Sequence, residues 1–360
     1  MSPGTSAQKE AYLILEGKEI VVLVITASNA IRKASGGWLA AGVLATALLQ
    51  SACLASSSSA TFERTLKVDG PVRLEVSTGS GKILIRSSSA GSVRIHGEVR
   101  AGGLFGASGS RRALEIASNP PIDQSGNIVR LGGRRGESLF GSASISYTIE
   151  TPADTQVTAK SGSGDVDIAG LVEPVSVTLG SGTARVDDVK DNVTITLGSG
   201  AIRVTRVQGS VSFSTGSGSV KFSQVREEIR GSAGSGPVEV EQAQGRVSVR
   251  TGSGPIRVNG ASQDVRASTG SGTIEVRGNP AAEAFWDLGT GSGGIQLAVP
   301  GSASFALTAR TSSGNVSVDM PIRIEEQSRR FLRARVGDGQ AHVNLETRSG
   351  NIRILRGGTS

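Results

Sequence analysis

Valine and isoleucine recur along this chain at matched places. Counted from each Gly-Ser-Gly triplet, the second residue after it is Val166, Ala184, Ile202, Val220, Val238, Ile256 and Ile274. The fourth is Ile168, Val186, Val204, Phe222, Val240, Val258 and Val276. The seventh, eleventh and thirteenth places are mostly apolar as well, with Gly231 breaking the last series. Each unit therefore holds two short runs of alternating apolar and polar residues, with a turn near the seventh place. Alternation with period 2 marks a strand with one side buried. The β-branched residues that strands prefer dominate these runs.

The triplets begin at Gly162, Gly180, Gly198, Gly216, Gly234, Gly252 and Gly270, each 18 residues after the last. Another copy follows after 21 residues at Gly291, and weakened copies stand at Ser312 ("SSG") and Arg348 ("RSG"). An earlier copy stands at Gly79. A fixed period of this kind outranks local propensity as a guide to fold. Two arrangements fit it: an antiparallel meander in which each unit is a hairpin, or a β-solenoid in which each unit is a coil. The solenoid explains more, because stacked coils turn every column above into a continuous apolar ladder and demand near-identical corners. The expectation is an all-β, parallel β-solenoid with about 18 residues and two strands per coil. Eleven or twelve coils at about 4.8 Å each would make a rod on the order of 50 Å long. The motif glycines are expected to be structural turns, taking positive φ and permitting close backbone approach. The serines between them, Ser163 to Ser271, are expected to hydrogen-bond along that edge.

The beat is interrupted at 87–160 and 320–345. "SVRIHGEV", "ALEIA", "NIVRLGG" and "SISYTIETP" read as strands joined by glycine- and arginine-rich turns. They predict antiparallel hairpin insertions near both ends, covering exposed strand edges.

Outward positions differ between the two strands of a unit. The third place after the triplet is charged, with a basic patch at Arg185, Arg203 and Lys221. The twelfth and fourteenth are mostly small hydroxyls, among them Thr178, Thr194, Thr196, Ser212 and Ser214, interrupted by Arg230, Arg250 and Arg266. These eight residues, Arg185 to Ser214 in the two sets, are the candidate surface-binding positions. Simple β-propensity and solubility account for the same pattern without a ligand.

The N-terminus carries a different signal. Arg32 and Lys33 precede the short apolar run "WLAAGVLATALL", which is followed by "QSAC" and the polar string Ser56–Ser59. Positive, apolar, small is the order of a bacterial export signal, and the run is shorter than the roughly 20 residues of a spanning helix. The single cysteine, Cys53, sits where a lipoprotein signal places its acylated residue, although Gln50 replaces the expected leucine. Three outcomes fit: lipid attachment at Cys53, ordinary cleavage after Ala55, or an uncleaved anchor. Residues 1–30 are unusual before such a signal and suggest a true start further downstream.

Composition excludes more than it assigns. The 360 residues include 50 Gly and only 3% aromatics, which suits a thin interior of Val, Ile and Ala. Net charge is +7, a mild excess spread along the chain. Nucleic acid is not an expected partner, since aromatic stacking platforms are missing. One cysteine allows no internal disulfide, and His96 and His342 lie too far apart to suggest zinc. "GTGSGG" (Gly289–Gly294) fits a dinucleotide fingerprint but lacks a βαβ context. "SGSGDVDIA" approaches a calcium β-roll repeat but has Val166 where Asp is needed. Asp165, Asp167, Asp187 and Asp188 are the one tight acidic group, and Arg185 is placed to pair with them. No catalytic residue, cofactor or metal is expected.

"YTIETPADTQVTAKSGSGDVDIAG" (Tyr147–Gly170) resembles the signature of a large bacterial family of exported β-strand-repeat proteins known as "putative adhesins" and otherwise of unknown function. A Pro-ended strand leads into the strand that delivers the triplet. The phrase returns as "LAVPGSASFALTARTSSGNVSV" (Leu297–Val318) and more weakly as "LETRSGNIRIL". The resemblance spans roughly Phe62 to Leu355 and supplies no catalytic residues.

These readings divide the chain into a leader (1–52), a serine-rich tether (53–61), an N-terminal β region with a hairpin insertion (62–160), the regular repeat (161–318) and a C-terminal hairpin with a last coil (319–360). The function they imply is a non-enzymatic, exported cell-envelope protein. It would be membrane-anchored through its N-terminal lipid or signal, and its extended face would bind an envelope glycan, polymer or protein. The alternatives are an envelope spacer without external ligand and, further off, a carbohydrate-active β-helix enzyme.

Overall fold

Inward Val and Ile columns and outward polar ones leave each strand half-greasy, and such strands bury that side only by stacking. In the computed structural model, which describes residues 58–102, 106–132 and 143–357, they do so in parallel. Val193 pairs with Val175 on one side and Val211 on the other, and Ile202 with Ala184 and Val220. The same register continues through Ile229, Val247 and Val265. The result is all-β apart from one helix: 26 strands in a mostly parallel, unclosed sheet. Cys53, the leader and the start of the tether fall outside the described residues. The first strand, Ser58–Lys67, starts within the polar stretch read as tether, because Ser58–Thr61 pair with Glu98–Ala101.

Each unit has a leading strand, running into the triplet, and a trailing strand beyond it. Val175–Val189, Val193–Val207 and Val211–Val225 pass through the triplet as single bent strands. Leading and trailing ladders face each other across a thin core. Phe213 of a leading strand and Phe222 of the trailing strand in the same unit meet with ring centroids 5.0 Å apart. Between such ladders there is room for Val and Ile but few rings, which accounts for the aromatic-poor composition. Val186, Val204, Val240 and Val258 are essentially inaccessible, each contributing about 1.5–3 kcal/mol by burial.

In six successive units, from Gly170 to Gly260, the second corner turns on a left-handed residue at the sixth place after the triplet. Glycine stands there at Gly170 and Gly260, but Asp188, Arg206, Gln224 and Gln242 adopt the same conformation, with φ between 52° and 56°. Hydrogen bonds between units hold this corner, such as Gln208 N–H to Val189 O (2.9 Å) and Arg226 N–H to Val207 O (3.0 Å).

At both ends the spatial order departs from chain order. Val72–Ser80 lies between Thr155–Ser163 and Ile128–Leu131, and Ile83–Ser88 between Val166–Leu171 and Ala143–Pro152. Ile128–Leu131 and Ala143–Pro152 thus form the outer rung, and the first unit in sequence is second in space. The C-terminal end repeats the device. Ala341–Ser349 pairs with Phe285–Ser292 on one side and Phe305–Ser313 on the other, so the last unit in sequence is inserted before the end. In each case the chain steps over one unit immediately after a proline, Pro152 or Pro300. The recurring Pro-ended phrase is therefore the mark of this step.

Antiparallel strands finish both ends. Ser92–Ala101 pairs with Ala143–Pro152 and with Ser58–Lys67, while Phe331–Val336 pairs with Phe305–Ser313 and Arg323–Gln327. The segment read as the strand "ALEIA" is instead helix Gly106–Ser118. Its spacing fits: Ala113 is buried, Ile116 and Ala117 pack beside it, and Leu114 turns to solvent. Among the described residues no helix is long and apolar enough to cross a membrane.

Candidate binding faces

Because the two ladders meet through their inward side chains, their outward side chains form two opposite faces. On the trailing face Arg185, Arg203 and Lys221 are exposed and lie in register on successive units. They do not form one free basic patch. Lys221 Nζ donates to Glu241 Oε1 at 2.9 Å and lies 3.8 Å from Glu239. The hydrogen bond to Glu241 raises the lysine's pKa. Arg185 and Arg203 make no hydrogen bond or ion pair among the described residues. Nor does Arg185 serve the acidic group: Asp187 pairs with Arg206, Asp167 with Arg86 at 3.0 Å, and Asp165 accepts from Thr183 N–H at 2.9 Å. Three of the four aspartates are thus held by separate structural partners, and Asp188 stands at a left-handed corner. Among the described residues no group of three or more His, Cys, Asp or Glu could hold a metal ion.

On the leading face Thr178, Thr194, Thr196, Ser212 and Ser214 are all exposed. Thr178, Thr196 and Ser214 form one file and Thr194 and Ser212, next to Ser176, the other. None of these hydroxyls has a hydrogen-bond partner among the described residues. Neighbouring hydroxyls are about 4.8 Å apart across units and about 6.8 Å apart along a strand.

The triplet corner divides labour between its two glycines. At the first, a Cβ would press on the carbonyl of the unit before: Gly216 meets Gly198 O at 2.7 Å and Gly252 meets Gly234 O at 2.6 Å. Gly162, Gly180, Gly198, Gly234 and Gly270 are equally confined. Positive φ belongs to the second glycine, as at Gly200 (130°) and Gly254 (150°). The serines between them point outward and make no hydrogen bonds to one another. Their spacing is too wide for it, so the expected serine ladder is replaced by a buried threonine one. Thr269, Thr290, Thr311 and Thr347, one residue before the triplet, donate to the carbonyls of Gly254, Gly272, Gly350 and Gly293 at 3.0–3.2 Å. The sequence offered a signal for this column, since it is threonine in every copy from Thr251 to Thr347 but leucine at Leu179 and Leu197, yet surface and buried hydroxyls look alike in a strand pattern.

No curated protein matches this chain in sequence. Solved structures that resemble it include a "putative cell adhesion protein" from Clostridium sporogenes, 12% identical, covering 83% of this chain and 100% of that one with a TM-score of 0.23. A "putative adhesin" from Bacteroides fragilis is 15% identical over 82% of this chain and 97% of that one, TM-score 0.30. Another from Parabacteroides distasonis is 10% identical over 84% and 98%, TM-score 0.31. The model of one family matches residues 72–355, and the chain belongs to that family, Toastrack DUF4097.

Proposed function

We propose that this is a non-enzymatic, adhesin-like protein of the bacterial cell envelope, exported and held at a membrane through its N-terminal lipid or signal. Its architecture is a β-solenoid with one coil per 18 residues and hairpins capping both ends. The protein works by presenting that surface to an envelope glycan, polymer or protein. Many weak contacts on a rigid, pre-ordered lattice add up without an ordering penalty in the protein. The observation that carries this reading is the leading face: its hydroxyls are exposed, in register and free of internal partners, which a purely structural surface does not require. Arg185 and Arg203 give the trailing face a second, smaller free donor set.

The test is capture of envelope material by the purified full chain, scored with a glycan panel and with crosslinking in native envelopes. Retention of a glycan or envelope protein, weakened by replacing Thr194 and Thr196 with bulky leucines, supports the reading. A chain that retains nothing in either assay is a spacer. Protease shaving of intact cells, with recovery of peptides from 161–318, tests surface display.

A further inference from the structure

The two faces differ in charge more sharply than in polarity. All five acidic residues in the outward columns of the trailing strands between Asp167 and Glu275 are answered within the chain. Asp167 pairs with Arg86, Asp187 with Arg206, Glu241 with Lys221, and Glu239 and Glu275 with Arg257 at 3.5 and 3.4 Å. The acids of the two flanking units, Glu75 and Asp287 (the latter in register with Arg266), are held by Arg130 and Asn344, and between them the outward columns of the leading strands contain no acid. In their two outward columns, from Thr158 and Lys160 to Arg266 and Ser268, every residue of seven successive units is Ser, Thr, Lys or Arg. Of the four cations, only Arg230 has a partner, Glu228 at the rim, 3.3 Å away. Lys160, Arg250 and Arg266 are exposed and make no ion pair or hydrogen bond among the described residues.

We propose that this face binds an anionic polysaccharide, with carboxylate or sulfate groups at Lys160, Arg250 and Arg266 and sugar hydroxyls on the Ser/Thr files between. The inference rests on the binding reading above and names its ligand class. Charge complementarity selects an anion, since unpaired guanidinium groups form strong paired hydrogen bonds with carboxylate and related oxygens. The geometry selects a polymer: Lys160 and Arg250 lie in one column five units apart, on the order of 24 Å. That exceeds the screening length at physiological salt, so Lys160 is an anchor separate from the neighbouring Arg250 and Arg266, and one ligand that engages all three must be a chain. The surroundings select a glycan over nucleic acid. No aromatic side chain stands in these two columns for a base to stack on, whereas hydroxyl files suit the many oxygens of a sugar chain.

The experiment compares polygalacturonate, a sulfated glycan, uncharged dextran and poly-dT for binding to the full chain at low and physiological salt. Arg250→Ser/Arg266→Ser is the test variant. Serine is native to both columns at Ser248 and Ser268, so the fold is retained. Arg277→Ser/Arg353→Ser, which removes two exposed cations from trailing strands, is the control. The expected result is binding of the anionic glycans that falls with salt, weakens about tenfold or more in the test variant and is unchanged in the control. Equal binding of dextran, or no loss in the test variant, overturns this inference and leaves the glycan-binding function standing. Equal binding of poly-dT overturns the assignment to a polysaccharide. Retention of no glycan at all overturns this inference, and overturns the binding reading as well if crosslinking in native envelopes recovers no protein.

Discussion

The ring of Phe213 fills the space that a side chain at Gly231 would need. The two residues are in register on neighbouring units, and a Cβ at Gly231 would press on the Phe213 carbonyl oxygen and stand 2.7 Å from the ring's Cε1, so that removing the ring relieves only part of the conflict. The glycine that breaks the thirteenth column is thus the complement of the phenylalanine above it. Phe62 and Gly97 repeat the arrangement across an antiparallel pair. Gly231→Val should destabilise the protein by about 1–3 kcal/mol through overpacking. Combined with Phe213→Val, the loss should be smaller than the sum of the two single changes. A double-mutant cycle from thermal unfolding measures this, and strict additivity would refute the complementarity.

Two glycines at the same motif position should respond oppositely to alanine. Gly216 is pressed against Gly198 O, while a Cβ on Gly79 meets nothing within 4 Å. Gly216→Ala should cost about 1–3 kcal/mol and Gly79→Ala less than about 0.5 kcal/mol. Denaturant unfolding of the two variants distinguishes a steric requirement from a general need for glycine.

The inserted last unit makes a prediction about local stability. Val343, Leu345 and Ile354 lie close to the C-terminus in sequence but are buried between two other units. Their amides should exchange with deuterium as slowly as those of Val204 and Val240, because opening them requires breaking pairings on both sides. Rapid exchange, as at a fraying terminus, would contradict the strand order.

Tyr147 supplies a pH dependence. Its ring is fully buried against Phe62, and its hydroxyl has no hydrogen-bond partner. Desolvation by burial pushes its pKa above the usual phenol range. The unfolded chain therefore releases this proton at lower pH than the folded one. The stability this group contributes is complete below about pH 10 and is lost as pH rises further. Tyr147→Phe should flatten that alkaline loss and leave neutral-pH stability unchanged or slightly higher. Unfolding midpoints across the alkaline range check this, and identical slopes for both proteins would contradict it.

Much of this architecture is written locally. The period, the inward columns and the confined glycines follow from residues within one unit, because stacked copies share one environment. What lies beyond a unit was less legible. The step over a neighbour after Pro152 and Pro300 depends on pairings between distant segments, and only the repeated phrase hinted at it. The left-handed corner was visible at Gly170 and Gly260 but hidden at Asp188, Arg206, Gln224 and Gln242, where hydrogen bonds between units hold a non-glycine in that conformation. "ALEIA" is too short to separate period 2 from period 3.6. The leading face was legible as a row of hydroxyls, but its lack of internal charge balance emerged only once Lys221 and the acids of the other face were seen to be paired.

The central claim is that residues 18 apart stand in file, and distances between spin labels test it most directly. With Cys53 replaced by serine, cysteines are introduced pairwise at Thr178 and at Ser214, Ser232, Arg250 or Ser268, all in one outward column. The separation should grow by about 4.8 Å for each additional unit, in a straight line across the four pairs. Distances that level off, alternate or shorten as the sequence gap widens would contradict the parallel stack and remove the extended face with it.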